Sequence, residues 1–518
     1  MTLKPFGRLK LVTLCVLMVI IWFIATSLSR SPAEIDPRVL EDTADGKTAQ
    51  FLVFFKQQLD LQALSPSISD RNLQGKHLID GLMAVATDTQ KSARAYLEFA
   101  GVRYIPFWIA NVIAVRGDRS VVDALARFPE VVLIEPDRAF TVELDAANSD
   151  DILSGVSLIP AAVQPNLAQV HAPEVWASGE TGIGSVYAVA DTGVYWQHSA
   201  LISQYRGWDG ATATHDYNWW DAVHLDINGG GNPCGFSAQS PCDDYGHGTH
   251  VAGIGVGDDG YGHQIGMAPG ARWIACRNMD SGVGRPSTYM ECFQFFLAPT
   301  RLDGSNPRPD LRPDVISNSY SCPDTELCSV HSMELVLEAV RAAGIFMSVS
   351  AGNNGPGCET IADPPGLEQS VFTVGAAASN NVIASFSSRG PVTVDLEPLM
   401  KPNLVAPGVS IYSSLKGGGY GYKSGTSMAA PHVAGAVTLL WGAFPSLRRD
   451  VTATEILLAN TALPLTSLLD GMLPCGDDSP DSVPNNTYGW GLLDVKAAYD
   501  AYWPLQPKYF FPIIGKSN

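Results

Sequence analysis

The apolar positions of the chain keep two different periods, and the change from one to the other marks its parts. Residues 14–25 are apolar almost throughout, follow Lys4, Arg8 and Lys10, and carry threonine and serine only toward the flanks of 11–28. From residue 50 the runs shorten. Phe51, Leu52, Val53, Phe54 and Phe55 are rich enough in aromatic and branched residues for a strand. Leu82, Val85, Ala86, Thr89, Ala93, Tyr96, Leu97 and Ala100 recur at three and four residues, which is one face of a helix. A strand over 107–115, a helix over 120–128 and a strand over 131–135 complete the order strand, helix, strand, helix, strand.

Beyond residue 170 the strands become apolar runs, at 185–190 and 345–350 bounded by glycine and at 315–316. Helical spacing separates them: from Val251 onward, through Met333, Val336, Leu337 and Val340 up to Gly344, and from Ser427 through Trp441. Strands apolar on both faces alternating with helices predict a parallel sheet covered by helices. The pattern divides the chain into an N-terminal segment 1–30, a linker 31–49, a small α+β unit 50–140, a linker 141–169, a large α/β domain 170–500 and a tail 501–518.

Composition agrees with this plan. A chain of 518 residues that is 46% hydrophobic and 16% charged can bury a large core and a smaller one. Its formal charge of −19 argues against nucleic-acid and anionic-lipid partners. Basic residues ahead of an apolar run read as a targeting segment and therefore as export. Two fates stay open: cleavage as a signal peptide, or retention as a membrane anchor through 11–28. The protein would be secreted or held on the outer side of the cytoplasmic membrane. Eight of the nine cysteines lie outside that segment, an even number that suits disulfides in an exported chain. Cys234 with Cys242 and Cys276 with Cys292 are close pairs; Cys322, Cys328, Cys358 and Cys475 allow three connectivities, among them Cys322 with Cys328 or with Cys358.

Candidate chemistry sits where these elements begin and end. The stretch SGTSMAAPHVAG places the Ser427 hydroxyl at the mouth of an apolar helix, where unpaired N–H groups and the helix dipole favour developing negative charge. A serine at a helix start is more often a cap, so its partners decide. A nucleophilic serine needs a base within hydrogen-bond reach and a carboxylate that orients the base. His247, in DYGHGTHVAG, has glycines that strip bulk from the backbone around its ring, whereas His250 reads as a structural histidine turned inward. Asp191 ends the run 185–190 at the carboxyl end of a buried parallel strand, where open α/β sheets hold their sites. No cluster of metal ligands with zinc spacing accompanies them.

Together these motifs resemble the subtilisin-like serine proteases, or subtilases. Asp191 in VADTGV, His247 in GHGTHVAG and Ser427 in GTSMAAPHVAG stand in the family's chain order. IGMAPGA, SFSSRGP, KPNLVAPG and YGWGLLD add lesser matches, so the resemblance covers about residues 172–499. It implies a three-layer α/β fold with a mostly parallel sheet, and a serine endopeptidase that works through an acyl-enzyme. Asp191, His247 and Ser427 would form the triad, and Asn353, in AGNNG after the strand 345–350, would be the side-chain donor of the oxyanion hole. Ser319, Tyr320 and Ser321 would make one wall of the specificity pocket, with Ala351 and Gly352 opposite. Many relatives carry glycine where Ser321 stands, so side-chain preference does not follow from the resemblance.

The resemblance further implies that 50–140 is an inhibitor-like propeptide, cut between 140 and 169, and that the chain is made as an autoinhibited zymogen. Its partners would be protein or peptide substrates and its own propeptide. The chemistry requires no cofactor. Calcium steadies many relatives, and Asp258 and Asp259 lie in the loop where those hold it, although the length and glycines of this loop depart from their pattern. Asp363–Pro364 falls where relatives carry a cis peptide bond. The insertion holding Tyr217, Trp219, Trp220 and the glycine-rich loop 228–233 is similar to bacillopeptidase-F-like subtilases, its aromatics reading as packing. Broad extracellular protein degradation is the expected task. A dedicated precursor-processing protease and a catalytically silent peptide-binding subtilase are the alternatives, while the glutamate-using sedolisin type is disfavoured by His247 in its full motif.

Overall fold

A computed structural model describes residues 33–61, 70–141, 162–320, 330–393, 398–469, 471 and 473–503. They form two compact units. The first comprises the described residues up to Gln58 with Thr87–Pro106 and Asn111–Pro136; the second comprises Leu59–Ala86, Phe107–Ala110 and the described residues from Asp137 on.

The first unit is built on five strands, β1 (Glu34–Ile35), β2 (Ala49–Phe55), β3 (Arg103–Phe107), β4 (Val112–Gly117) and β5 (Val131–Pro136), in the order β1-β5-β2-β4-β3. β2 is antiparallel to both β4 and β5. Its alternate residues Phe51, Val53 and Phe55 enter one core with Ile113, Val115 and Ile134, as period-two strands require. Helices α1 (Pro37–Asp42), α3 (Lys91–Ala100) and α4 (Arg119–Leu125) contribute Val39, Leu97, Val122 and Leu125 to that core. The helix α2 (Arg71–Thr89) precedes α3.

Two local expectations change here. The helical spacing of 82–100 is two helices, because Gln90 turns its side chain inward and donates from Nε2 to Asn111 Oδ1 at 3.0 Å and Val112 O at 3.3 Å. The single strand over 107–115 is interrupted by a turn in which Asn111 has φ +47. Asn111 also donates to Gln57 O at 2.7 Å and to Thr89 Oγ1 at 2.9 Å. A buried polar side chain must find partners, and these were invisible to a reading of apolar spacing.

In the second unit seven parallel strands form the sheet: β7 (Val186–Asp191), β8 (Trp219–Asp221), β9 (Arg272–Arg277), β12 (Val315–Asn318), β13 (Phe346–Ser350), β14 (Phe372–Ala377) and β15 (Leu404–Pro407), in the order β15-β14-β13-β12-β7-β9-β8. Helices α5 (His247–Val256) and α8 (Thr426–Ala443) pack together, α8 crossing β12 to β15 and α5 resting on β7. Helices α6 (Pro286–Leu297) and α7 (Val330–Ala342) pack on each other and on the sheet. This is the three-layer α/β arrangement expected. Every residue of α8 from Thr426 to Trp441 is buried, which explains why its sequence is apolar on all sides. The chain also forms short strands β6 (Phe140–Thr141), β10 (Met279–Asp280) and β11 (Val283–Gly284), a hairpin β16 (Ile411–Ser414) with β17 (Tyr420–Lys423), and helices α9 (Val451–Thr461) and α10 (Val495–Tyr502).

Cys234–Cys242 and Cys276–Cys292 are disulfides as expected. Cys358 pairs with Cys475 across 117 residues, which rules out its pairing with Cys322; Cys322 and Cys328 lie outside the described residues. Asp363–Pro364 is not cis; the next bond, Pro364–Pro365, is. No helix among the described residues is long and apolar enough to cross a membrane, and the segment 11–28 lies outside them.

Candidate active site

β7 carries Asp191 to the carboxyl edge of the sheet, where the residue is fully buried. His247, the first residue of α5, brings Nδ1 to 2.8 Å from Asp191 Oδ1 and 2.9 Å from Oδ2. An ionised carboxylate only accepts, so the proton of the imidazole sits on Nδ1 and Nε2 is the basic nitrogen. The approach depends on a missing side chain: a Cβ on Gly248 would lie 2.1 Å from Gly193 O. His250 is buried, with Nε2 3.2 Å from Gly421 O, in keeping with its structural reading.

Ser427 is the second residue of α8, after an extended Gly425. Pro431 lies inside this helix, and proline has no N–H to give the carbonyl four residues earlier. That carbonyl belongs to Ser427, and Ser319 Oγ donates to it at 3.1 Å instead. The exchange is reciprocal, for Ser427 Oγ donates to Ser319 O at 3.0 Å. Ser319 thus ties the end of β12 to the helix start through both its polar groups.

Asn353 follows β13 and accepts at Oδ1 from Thr426 N at 2.9 Å and Thr426 Oγ1 at 3.0 Å. Because a backbone N–H can only donate, these bonds fix which end of the amide is oxygen and turn Nδ2 outward. Gly352 N donates to Thr426 Oγ1 at 3.2 Å, and Ala351 is buried beside it. Tyr320 is packed inward, stacked on Tyr289 at 4.2 Å with its hydroxyl accepting from Asn278 Nδ2 at 3.2 Å. Ser321 lies outside the described residues. Ser319, Gly352 and Asn353 are thus hydrogen-bonded to the start of α8, with Ala351 next to Gly352 in the chain, while Tyr320 is buried against Tyr289.

Beside this centre, β10, β11 and β6 form a three-stranded antiparallel sheet in which Val283 faces Thr141 and Gly284 faces Phe140. The Phe140 ring lies 5.6 Å from Tyr289. Asp137 just ahead accepts from Ser287 N at 3.0 Å and Ser287 Oγ at 2.6 Å, and Arg285 Nη1 donates to Asp137 O at 2.8 Å. Hydrogen bonds and an aromatic contact thus fasten residues 137–141 along this edge.

Two groups of residues that matter here escaped the sequence reading. Arg277, buried at the end of β9, grips Asp221 with Nε at 2.9 Å and Nη2 at 2.7 Å, and reaches Asp244 at 3.1 Å and Asn232 Oδ1 at 2.9 Å. It anchors the insertion that leads into the histidine motif. Asp243 is wholly engaged with threonine hydroxyls and backbone N–H groups around His247. No sequence signal separates it from its neighbour Asp244.

Asp258 and Asp259 turn their carboxylates onto donors of their own loop and of Tyr420. Asp259 already accepts from Tyr261 N, His263 N, the His263 ring and Tyr420 OH, and Asp258 Oδ1 accepts from Gly260 N. Among the described residues no group of three or more histidine, cysteine or acidic side chains is set to hold a metal.

His432, on the buried body of α8, is held neutral: Nδ1 lies 2.8 Å from Met428 O and Nε2 2.8 Å from Asn166 Nδ2. Burial pushes its pKa down to about 4. The folded value lies below the unfolded one, so the stabilisation is complete above about pH 6.5 and lost as pH falls through about 4, on the order of 3 kcal/mol. Urea unfolding of the His432→Gln variant and its parent, both carrying Ser427→Ala to stop autolysis, should show the difference between them shrink by that amount from pH 7 to pH 4. A constant difference would contradict it.

This fold is that of the Subtilase family, whose model residues 182–491 match and to which the chain belongs. It is 35% identical over 443 residues to bacillopeptidase F of Bacillus subtilis (strain 168), an alignment covering 82% of this chain and 28% of that protein. It is 33% identical over 312 residues to the serine protease AprX of the same strain, covering 54% of this chain and 62% of AprX. With subtilisin E, also from that strain, it shares 28% identity over 401 residues, 76% of this chain and 81% of the relative. The chain thus spans under a third of the length of bacillopeptidase F.

Proposed function

We propose that the chain is an exported serine endopeptidase, made as a zymogen held by its own N-terminal segment. The observation that carries the catalytic reading is the double contact of His247 Nδ1 with Asp191. It leaves Nε2 as a base on the helix that packs against α8, which bears Ser427 in its first turn. In the reaction the Ser427 hydroxyl turns from Ser319 O to Nε2, gives up its proton and attacks the peptide carbonyl. Asp191 holds the tautomer and stabilises the imidazolium. Asn353 Nδ2 and the Ser427 N–H receive the oxyanion, which forms where the start of α8 already favours negative charge. His247 then protonates the leaving amine, and a water molecule repeats the sequence on the acyl-enzyme.

The zymogen reading is supported by β6. An extended peptide adds to a sheet edge through main-chain bonds that do not demand a sequence, and Phe140–Thr141 uses the β11 edge in this way. In this reading residues 50–140 act as an inhibitory propeptide, released by a cut between 140 and 169. Broad degradation of extracellular protein is the task favoured, over processing of one precursor, because main-chain pairing at β11 is indifferent to side chains.

A serine-directed fluorophosphonate tests the catalytic reading. The matured protein should be labelled on Ser427, and labelling should vanish when His247 is replaced by alanine. A protein that takes no label would be a silent, peptide-binding subtilase instead.

A further inference from the structure

The Asp243 carboxylate is buried and receives five donors. Thr192 Oγ1, Tyr245 N and Gly246 N reach Oδ1 at 2.9, 3.1 and 2.6 Å. Thr249 N reaches Oδ2 at 2.9 Å, and Thr249 Oγ1 donates to the same oxygen. Both threonine hydroxyls are spoken for as acceptors too, Thr192 Oγ1 by Gly248 N at 3.0 Å and Thr249 Oγ1 by Tyr195 N at 2.9 Å. Each hydroxyl therefore has its hydrogen directed at Asp243, and a carboxylate surrounded only by donors is the ionised form. Burial raises the Asp243 carboxyl above its ordinary value, and the bonds from Thr249, Gly246 and Thr192 offset this only in part.

What these bonds join is more telling than their number. Thr192 follows Asp191 in the chain, and Gly248 and Thr249 follow His247. Asp244 N adds a bond to Thr192 O at 3.4 Å. The two segments that bear the acid and the base of the triad are thus cross-linked through one side chain that lies in neither. We infer that Asp243 is a positioning residue for the reaction, setting the Asp191–His247 distance by holding Thr192 and the first turn of α5 to a single carboxylate. The inference rests on the catalytic reading given above. An imidazole displaced by about 1 Å can lose about a hundredfold in rate without loss of substrate binding, and partners beyond the reacting groups commonly act in this range.

The charged groups around this hub are Asp191 and His247, Asp244 with its partner Arg277, and Lys416, whose Nζ donates to Asp244 O at 2.6 Å. Replacing Asp243 by asparagine removes one negative charge from the set and loosens the Asp191–His247 contact. Both effects weaken the hold on the imidazolium, so the acid limb of the rate profile should move to lower pH.

The test uses the full-length protein, matured in trans by the parent enzyme where self-processing fails, with steady-state peptide hydrolysis and fluorophosphonate labelling measured from pH 5 to 9. For Asp243→Asn we expect kcat to fall about 10- to 100-fold, KM to stay within about threefold, and the acid limb to move down by half a unit or more. Should that variant fail to fold, Thr249→Val, which deletes one hydroxyl donor, and Thr249→Ser, which keeps it, take its place. Valine should lower kcat in the same sense and serine should restore it. A folded Asp243→Asn protein with parental kcat and an unmoved acid limb would overturn the inference, as would valine and serine variants of equal activity. A parent that takes no label would instead overturn the catalytic reading on which the inference stands.

Discussion

Replacing Ser427 by alanine should lower kcat on the order of a millionfold, the loss measured when the equivalent nucleophile is removed from a subtilisin. The fold should survive. Ser427 is 2% exposed, and alanine fills the same space without one oxygen. The substitution removes the bond from Ser427 Oγ to Ser319 O, while the bond that matters to the helix, Ser319 Oγ to the carbonyl of residue 427, needs no side chain there. Purified Ser427→Ala protein should therefore melt near the parent, and in the zymogen reading it should stay uncut between 140 and 169. Mass spectrometry of the purified chain decides the second point, and peptide hydrolysis the first. Residual activity within a factor of about ten of the parent would place the nucleophile elsewhere.

Replacing Asn353 should lower kcat by about 10² to 10³ with little change in KM, the effect of removing one side-chain donor from an oxyanion hole in subtilisin. In the catalytic reading this residue has two functions at once, and they can be separated. Its Oδ1 accepts the Thr426 N–H, which is otherwise an unpaired donor in the first turn of α8, and its Nδ2 faces away. Alanine removes both. Aspartate keeps an oxygen for Thr426 but puts a second, negative oxygen where the donor stood. If Asn353 served only to hold the helix start, Asn353→Asp would recover much of the activity. If Nδ2 stabilises the oxyanion, Asn353→Asp should be as poor as Asn353→Ala or worse, because like charges would meet. Steady-state kinetics on the two variants, with melting curves to confirm that both fold, separate the cases.

The alternation of strands and helices after residue 170 was legible because a sheet buried on both faces writes itself as unbroken apolar runs. The β7, β12 and β13 strands begin and end within one or two residues of the runs that announced them. The positions of Asp191, His247 and Ser427 at element ends were legible for the same reason, since each stands where an apolar run meets glycine. Polar networks were not. Gln90 and Asn111 lie 21 residues apart and break a helix and a strand by bonding to each other. Arg277 lies 56 residues from Asp221, and nothing local marks a lone arginine as buried. The place of Pro431 in a helix depends on Ser319, 108 residues away from the carbonyl that the proline leaves open. Such pairings depend on which distant donor arrives, and periodicity carries no record of that.

The strand Phe140–Thr141 on the edge of β11 belongs to the same covalent chain as the site it adjoins. As a ligand it is therefore never diluted. A segment on a short tether competes at an effective concentration of about a millimolar or more, so a soluble peptide at micromolar level cannot displace it by mass action. In the zymogen reading, adding substrate would not awaken the protein. Activity would begin only once the tether is severed and the strand becomes an ordinary solute, and from then on diluting the mixture would itself favour the active form.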